Sequence, residues 1–339
     1  MDSISPVWQS CLEHFLQGVS RSHSSATVVA YKGALRRFFS SLPTLPELVT
    51  RQDVCDFIYA RSESPWTRSA DGTVKTSTSN FRLACVKAFY NFASAYTINE
   101  RGEPVVLFQR PNPALGIRPV KPSRVYKALS EDELRRFFAA IDPSTVRGLR
   151  DRAILLFYFW TCRRRAEVQR LLWRDLESTT ILDERGRSRL GWVYRYFGKG
   201  HSQEQSSAEL PQPAIDALMS YLEASGRLDT MQPDSPLFVA IAPACGGLQF
   251  DTNKPLSESQ IVRLFKGYVE AAGLDATRYS LHSLRHTAAR LRRQSGSDVL
   301  AIQAVLGHAC LNTTFIYLQV LCPVGDPGAK LLESQFASL

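Results

Sequence analysis

Seven consecutive apolar or aromatic residues, Ile154 to Trp160, run through Thr161 and Cys162 straight into three arginines, Arg163, Arg164 and Arg165. The run reads as a buried helix that carries the triplet along with it. A guanidinium held against a core is costly unless an anion or a dense set of acceptors meets it. Any fold for this chain must supply one or the other at that point.

At 339 residues, with 44% hydrophobic and 22% charged side chains, the chain suits a soluble globular protein of two domains. Its net charge of +9 fits a polyanion such as DNA, RNA or an acidic membrane surface, and leaves open a basic protein with no such partner. No apolar run approaches the roughly 20 residues that span a bilayer, and the N-terminus has neither a basic leader nor a signal-type core, so a cytosolic protein is expected. The seven cysteines (Cys11, Cys55, Cys85, Cys162, Cys245, Cys310, Cys322) are scattered and form no CxxC pair. They read as small buried hydrophobes in a reducing compartment.

The first third has helical period and punctuation. "SSATVVAYKGALRRFFSSL" offers Ser25 as cap and Val28, Val29, Leu35, Phe38 and Phe39 as an inner face. "TRQDVCDFIYA" has Thr50 as cap, Asp53 in the first turn and Val54, Phe57 and Ile58 inward. "NFRLACVKAFYNFASAY" places Phe81, Ala84, Cys85, Phe89, Phe92 and Ala93 inward. A small helical domain over 1–109 follows. Residues 110–127 hold four prolines and five basic residues (Arg110, Arg118, Lys121, Arg124, Lys127), which reads as an extended linker able to lie along a phosphate backbone. A second domain, 128–339, opens with Ser130 as cap and Glu133 at the capping-box position. Past the arginine triplet, "GRSRLGWVYRYFGKGHSQEQ" predicts a short antiparallel sheet with a glycine-flanked tip, and further helices follow. The overall expectation is a mainly α chain: a helical domain, then an α+β domain with one small antiparallel sheet. Neither an internal repeat nor a Gly-rich phosphate loop is present.

Half of the six histidines fall late in the chain, His282 and His286 around Arg285, then His308, with Tyr317 nine residues further on. His282 and His286 share a helical face, as zinc ligands can, but an arginine stands between them and no HExxH glutamate accompanies them. No metal site is expected. An anion accounts for more of the residues. Arg164 and Arg285 each present a planar fork to phosphate oxygens, imidazoles at His282 and His308 accept or donate protons, and Tyr317 supplies a nucleophilic oxygen. Arginine, histidine and tyrosine without acidic metal ligands point to metal-free phosphodiester transfer.

The segments "TCRRRAEV", "HSLRH" and "LGHACLNTTFIY" resemble, in order and spacing, the boxes of the tyrosine site-specific recombinase family, the phage integrases. Each box alone is weak; an arginine with Glu three residues on, then H-x-x-R-H, then L-G-H with a tyrosine nine residues after the histidine is specific in combination. The likeness extends over nearly the whole chain, with a two-domain, Xer-like layout. The family's first box is usually written T-G-L-R-x-x-E, which aligns Thr161 and Glu167 and puts the catalytic arginine on Arg164. Arg163 and Arg165 then need other partners: DNA backbone, a carboxylate or solvent.

What the resemblance implies is a C-shaped DNA clamp with a core-binding first domain and a catalytic second one. Tyr317 would attack the scissile phosphate and form a 3′-phosphotyrosyl link. Arg164, Arg285 and His308 would bind the phosphate, His282 would assist proton transfer, and Lys199, at the hairpin tip, would protonate the leaving 5′ oxygen. Glu167 and His286 would support the site. Neither ATP, a metal nor another cofactor is implied. The partner would be double-stranded DNA with inverted-repeat half-sites, bound by a homotetramer on two sites, with the protein a monomer in its free form. A bacterial or mobile-element origin, a nucleoid-associated cytoplasmic location and exchange of the C-terminal tail between subunits are further implications. Departures are Cys162 at the usual glycine and a hairpin that continues with His201, Ser202, Gln203 and Glu204 instead of basic residues. A DNA-binding regulator without chemistry and a type IB topoisomerase-like activity remain the rival readings.

Overall fold

The structure is a computed structural model that describes residues 5–42, 44–60, 73–100, 103–121, 128–182, 186–198, 205–244, 247–308, 310–311 and 314. The chain divides into two compact units, Met1–Arg124 and Val125–Leu339.

In the first unit, α1 (Pro6–Ser22), α2 (Ser25–Ser41), α3 (Arg51–Tyr59) and α4 (Thr76–Ala93) are followed by a hairpin of β1 (Thr97–Glu100) and β2 (Glu103–Val106). Local chemistry starts α3: the backbone N–H of Thr50 donates to the Asp53 carboxylate at 2.8 Å and the N–H of Asp53 donates to the Thr50 hydroxyl at 3.3 Å. The core is aromatic, with Phe38 packed on Phe57 at 5.0 Å and Phe39 edge-on to Phe89 at 5.3 Å between ring centroids. Each fully buried phenylalanine there contributes about 2–3 kcal/mol.

Three expectations for this unit change. The cap of α2 is Ser24, whose hydroxyl accepts from Thr27, one residue ahead of the predicted Ser25. Val29 and Ala84 face solvent. The stretch from Arg110 is also less linker-like than its prolines suggest. Ala114 and Ile117 are buried in the first unit's core. The Asn80 amide pairs with both the N–H and C=O of Val120, at 2.9 and 2.8 Å. Residues 110–121 are therefore docked against helix α4, and Arg124 and Lys127 lie outside the described residues.

The second unit contains α5 (Glu131–Ala139), α6 (Val146–Thr161), α7 (Arg165–Gln169), β3 (Leu176–Leu182), β4 (Ser188–Phe197), β5 (Gln205–Leu210), α8 (Gln212–Ala224), β6 (Val239–Ala244), β7 (Gly247–Pro255), α9 (Glu258–Ala271), α10 (Leu281–Gln294) and α11 (Val299–Leu306). Ser130 and Glu133 form the capping box of α5 as predicted. Helix α6 is the centre of the core, with Ile154, Leu155, Phe157 and Tyr158 buried among α8, α9 and the sheet. Its first turn needs Gly148, since a Cβ there would sit 1.7 Å from the Asp142 carbonyl oxygen. The predicted sheet is three antiparallel strands in the order β3-β4-β5. A second hairpin, β6-β7, stands where only helices were expected. The described residues are thus mainly helical with small antiparallel sheets. Among them no helix is long and apolar enough to cross a membrane.

Candidate functional site

The arginine triplet does not continue helix α6. The helix stops at Thr161, and Cys162 takes a left-handed conformation with φ 53° and ψ 22°. That turn sends the three arginines in different directions. Arg163 lies in the connection, Arg164 is the extended N-cap of α7, and Arg165 is its first helical residue.

The side chains show what meets the charge. Arg163, 3% exposed, donates to the carbonyl oxygens of Ala304 and Val305 and stacks over the Tyr196 ring, 4.0 Å from its centroid. Arg285, also buried, donates to the carbonyls of Leu306 and Cys162. Arg164 donates to Gly307 O at 3.2 Å and to Glu167 at 2.9 Å. Three guanidinium groups thus converge on the carbonyls of residues 304–307, at the negative end of helix α11, where the Gly307 N–H already donates to the Ala304 carbonyl. The acceptors that the sequence demanded are backbone carbonyls. This corrects the expected place of Arg163 at the surface: its guanidinium is buried and taken up by carbonyls and the Tyr196 ring. Arg165 is half exposed and pairs with Glu258 at the start of α9.

Gly307 ends α11 with φ 59°. A Cβ on it would approach Arg163 Nη1 to 3.4 Å, so a glycine serves both the turn and the close packing. His308 follows directly. Its Nδ1 is 3.0 Å from the hydroxyl of buried Thr314, and its carbonyl accepts from the Gln303 amide at 2.8 Å. Thr314 was not among the sequence candidates; a threonine six residues past the histidine is the one signal it left.

Helix α10 supplies the remaining groups. His282 is in its first turn, and its ring meets that of His286 edge-on at 5.0 Å between centroids. Atoms crowding the His282 ring, then the nearby Arg285 and Arg164, push its pKa down to about 4, although the residue keeps an exposed edge. Burial and the same two arginines also push His308 down to about 4. His286, buried beneath them, falls to about 3, first from burial and then from His282 and Arg285. The structure thus brings Arg164, His282, Arg285 and His308 together in one electropositive site with an open side, and places Glu167 and His286 behind it. Such a site suits an anion, and its imidazoles are neutral at pH 7. Among the described residues no three His, Cys, Asp or Glu side chains are arranged to hold a metal ion.

Lys199 falls between the ends of β4 and β5, and Tyr317 follows Thr314; both lie outside the described residues. Arg110, Arg118 and Lys121 are exposed on the first unit.

Two family models match the chain. Residues 127–322 match the phage integrase family and residues 12–96 match the phage integrase N-terminal SAM-like domain. The chain is 30% identical over 315 residues to the tyrosine recombinase XerD of Bifidobacterium longum (strain NCC 2705), covering 89% of each chain. It is 26% identical over 313 residues to the XerD of Listeria monocytogenes serotype 4b (strain F2365), covering 91% of this chain and 92% of the relative. In fold it is similar to a lambda integrase dimer bound to a COC′ core site, with TM-score 0.64, 17% identity and coverage of 94% and 97%. A XerH site-specific recombinase bound to palindromic difH substrate in a post-cleavage complex gives TM-score 0.62, 18% identity and coverage of 98% and 89%.

Proposed function

This chain belongs to the phage integrase family of tyrosine recombinases, and we propose that it is a site-specific DNA recombinase acting through a 3′-phosphotyrosyl intermediate on Tyr317. The observation that carries the reading is the convergence of Arg164, Arg285, His282 and His308 on one open, electropositive site.

Each group has a task that its surroundings support. Arg164 and Arg285 are held by backbone carbonyls on one side, which fixes the planes of their guanidinium groups before any phosphate enters. They and His308 offset the charge that develops on the nonbridging oxygens as the Tyr317 oxygen attacks phosphorus. His282, neutral at pH 7, can take the tyrosine proton; an entering phosphate raises its pKa and makes it a better base. The bond from phosphorus to the 5′ oxygen then breaks, and Lys199 gives that oxygen a proton. Glu167 and His286 hold Arg164 and His282 in place.

The phosphotyrosyl bond keeps the energy of the phosphodiester it replaces. A 5′-hydroxyl from the partner duplex therefore religates the strand without ATP. Two sites with inverted-repeat half-sites call for four protomers, and a DNA substrate places the protein in the cytoplasm, on the nucleoid. The exposed Arg110, Arg118 and Lys121, with Arg124 and Lys127, follow the phosphate backbone.

The test is to incubate purified protein with fragments of its source genome, quench with detergent, and recover DNA that is covalently attached. Tyr317→Phe runs in parallel. Adducts on a discrete inverted repeat, absent from the variant, support the reading. Sequence-specific binding with no adduct from either protein would instead indicate a DNA-binding regulator.

A further inference from the structure

Arg163 occupies a position that the T-G-L-R-x-x-E pattern gives to an apolar leucine, yet it is among the most interior charges of the second unit at 3% exposure. Its guanidinium has three attachments. Nε donates to the Thr161 carbonyl at 3.3 Å, Nη2 donates to the Ala304 and Val305 carbonyls at the end of α11, and the plane covers the Tyr196 ring at 4.0 Å. Those contacts come from three parts of the chain. Thr161 ends α6, Val305 stands three residues before His308, and Tyr196 is the penultimate residue of β4, three before Lys199.

We propose that Arg163 is a positioning residue that couples the His308 turn to strand β4, and through β4 to the segment bearing Lys199. This rests on the recombinase reading. A leucine at 163 could fill space, but it would remove the donor to the Val305 carbonyl at the end of α11 and would have no charge to set over Tyr196. The cation therefore does what the leucine cannot: it ties the end of α11 to strand β4. Tyr196 itself is only partly buried and is also held by pairing with Ser206 across the β4-β5 ladder, so its ring can be changed without dismantling the strand.

Two substitutions separate the two ties. Arg163→Leu removes both; Tyr196→Leu removes the strand tie and leaves the carbonyl bonds. Hydrogen exchange on the DNA-free full chain is the first readout, and it is independent of activity. Arg163→Leu should speed exchange in both 190–210 and 304–311, and Tyr196→Leu in 190–210 alone. The second readout is adduct formation on the recovered DNA site, made with an ordinary phosphodiester or with sulfur in place of the bridging 5′ oxygen, a leaving group that needs no acid. Tyr196→Leu should slow the ordinary substrate by on the order of a hundredfold and recover most of that loss with sulfur. Arg163→Leu should slow both, and Arg163→Lys should restore part of the rate.

Exchange unchanged in 190–210 for both variants overturns the coupling, as does an equal loss on the two substrates for Tyr196→Leu. Should Arg163→Leu fail to fold, Tyr196→Leu and Arg163→Lys decide the matter alone. Predicted exchange patterns in a wild-type protein that forms no adduct would uphold the coupling and discard the recombinase reading.

Discussion

Arg164 and Glu167 close a double hydrogen bond across the first turn of α7: the carboxylate accepts from the Arg164 backbone N–H and from its Nη1, each at 2.9 Å. One buried carboxylate thus starts the helix and aims the guanidinium. Glu167→Ala removes the cap partner and leaves Arg164 held only through Gly307, and a loss of about 1–3 kcal/mol in stability is expected, between the values for exposed and buried pairs. Glu167→Gln keeps one acceptor and should lose about half as much. Thermal unfolding of the two variants checks the order, and equal stability of Glu167→Ala and wild type would contradict the arrangement.

The three imidazoles set a pH dependence whose sign follows from their depressed values. His282 and His308 lie at about 4 and His286 at about 3, against 6.5 in an unfolded chain, so the unfolded state binds more protons at every pH between. Stability is then fully present above pH 6.5 and is lost as pH falls toward 4. Melting temperature should drop across pH 6.5 to 5, ahead of most carboxylate titration. His286→Gln, which removes the most depressed of the three, should shallow the slope. A melting temperature that is level across that window would exclude neutral, desolvated imidazoles in the folded protein.

Arg118 and Lys121 are exposed on the first unit beside the Asn80 clasp on Val120. If they meet phosphates, each alanine substitution should weaken DNA binding alike for specific and nonspecific duplexes, and should lower the slope of log affinity against log salt by about 1. Filter binding at several salt concentrations measures this. A substitution that weakens only the specific duplex would mean that the side chain reads bases.

Where the sequence was informative, the cause was local. Thr50 with Asp53 and Ser130 with Glu133 start their helices through contacts three residues apart, and neighbouring sequence contains all of that chemistry. Ser24 and Ser25 are adjacent and chemically equal, so the period could not choose between them. The hairpins β1-β2 and β6-β7 were not foreseen because their strands include Pro104 and Pro243 and carry little β-branched alternation; pairing creates them. Arg164, His282, Arg285 and His308, singled out by their spacing, lie together in the structure, but the fate of the triplet was not legible. Treating residues 154–165 as one helix put Arg163 and Arg165 on its surface, whereas a single left-handed residue at 162 ends that helix and turns Arg163 inward. No periodicity contains that information, because it depends on the carbonyls of residues 304 and 305, far along the chain.

That residue gives the last prediction. Cys162 is fully buried against Ala288, Ala289, Ile302 and Leu306, and its φ of 53° costs a side-chain-bearing residue about 1–2 kcal/mol. Cys162→Gly relieves the strain and forfeits a similar amount of packing, so its stability should stay within about 1 kcal/mol of wild type. Cys162→Ala keeps the strain and loses the sulfur, including its contact with Arg292 Nη1 at 3.2 Å, for a loss of about 1–2 kcal/mol. Cys162→Val adds a branched side chain to a left-handed backbone and crowds the cluster, for about 3 kcal/mol or more. The Cys162 carbonyl accepts from Arg285, so the glycine variant should also keep adduct formation while the valine variant loses it. Urea unfolding and the adduct assay together test the order glycine, alanine, valine; a valine variant as stable and active as wild type would mean that the turn which separates the three arginines is not left-handed at this position.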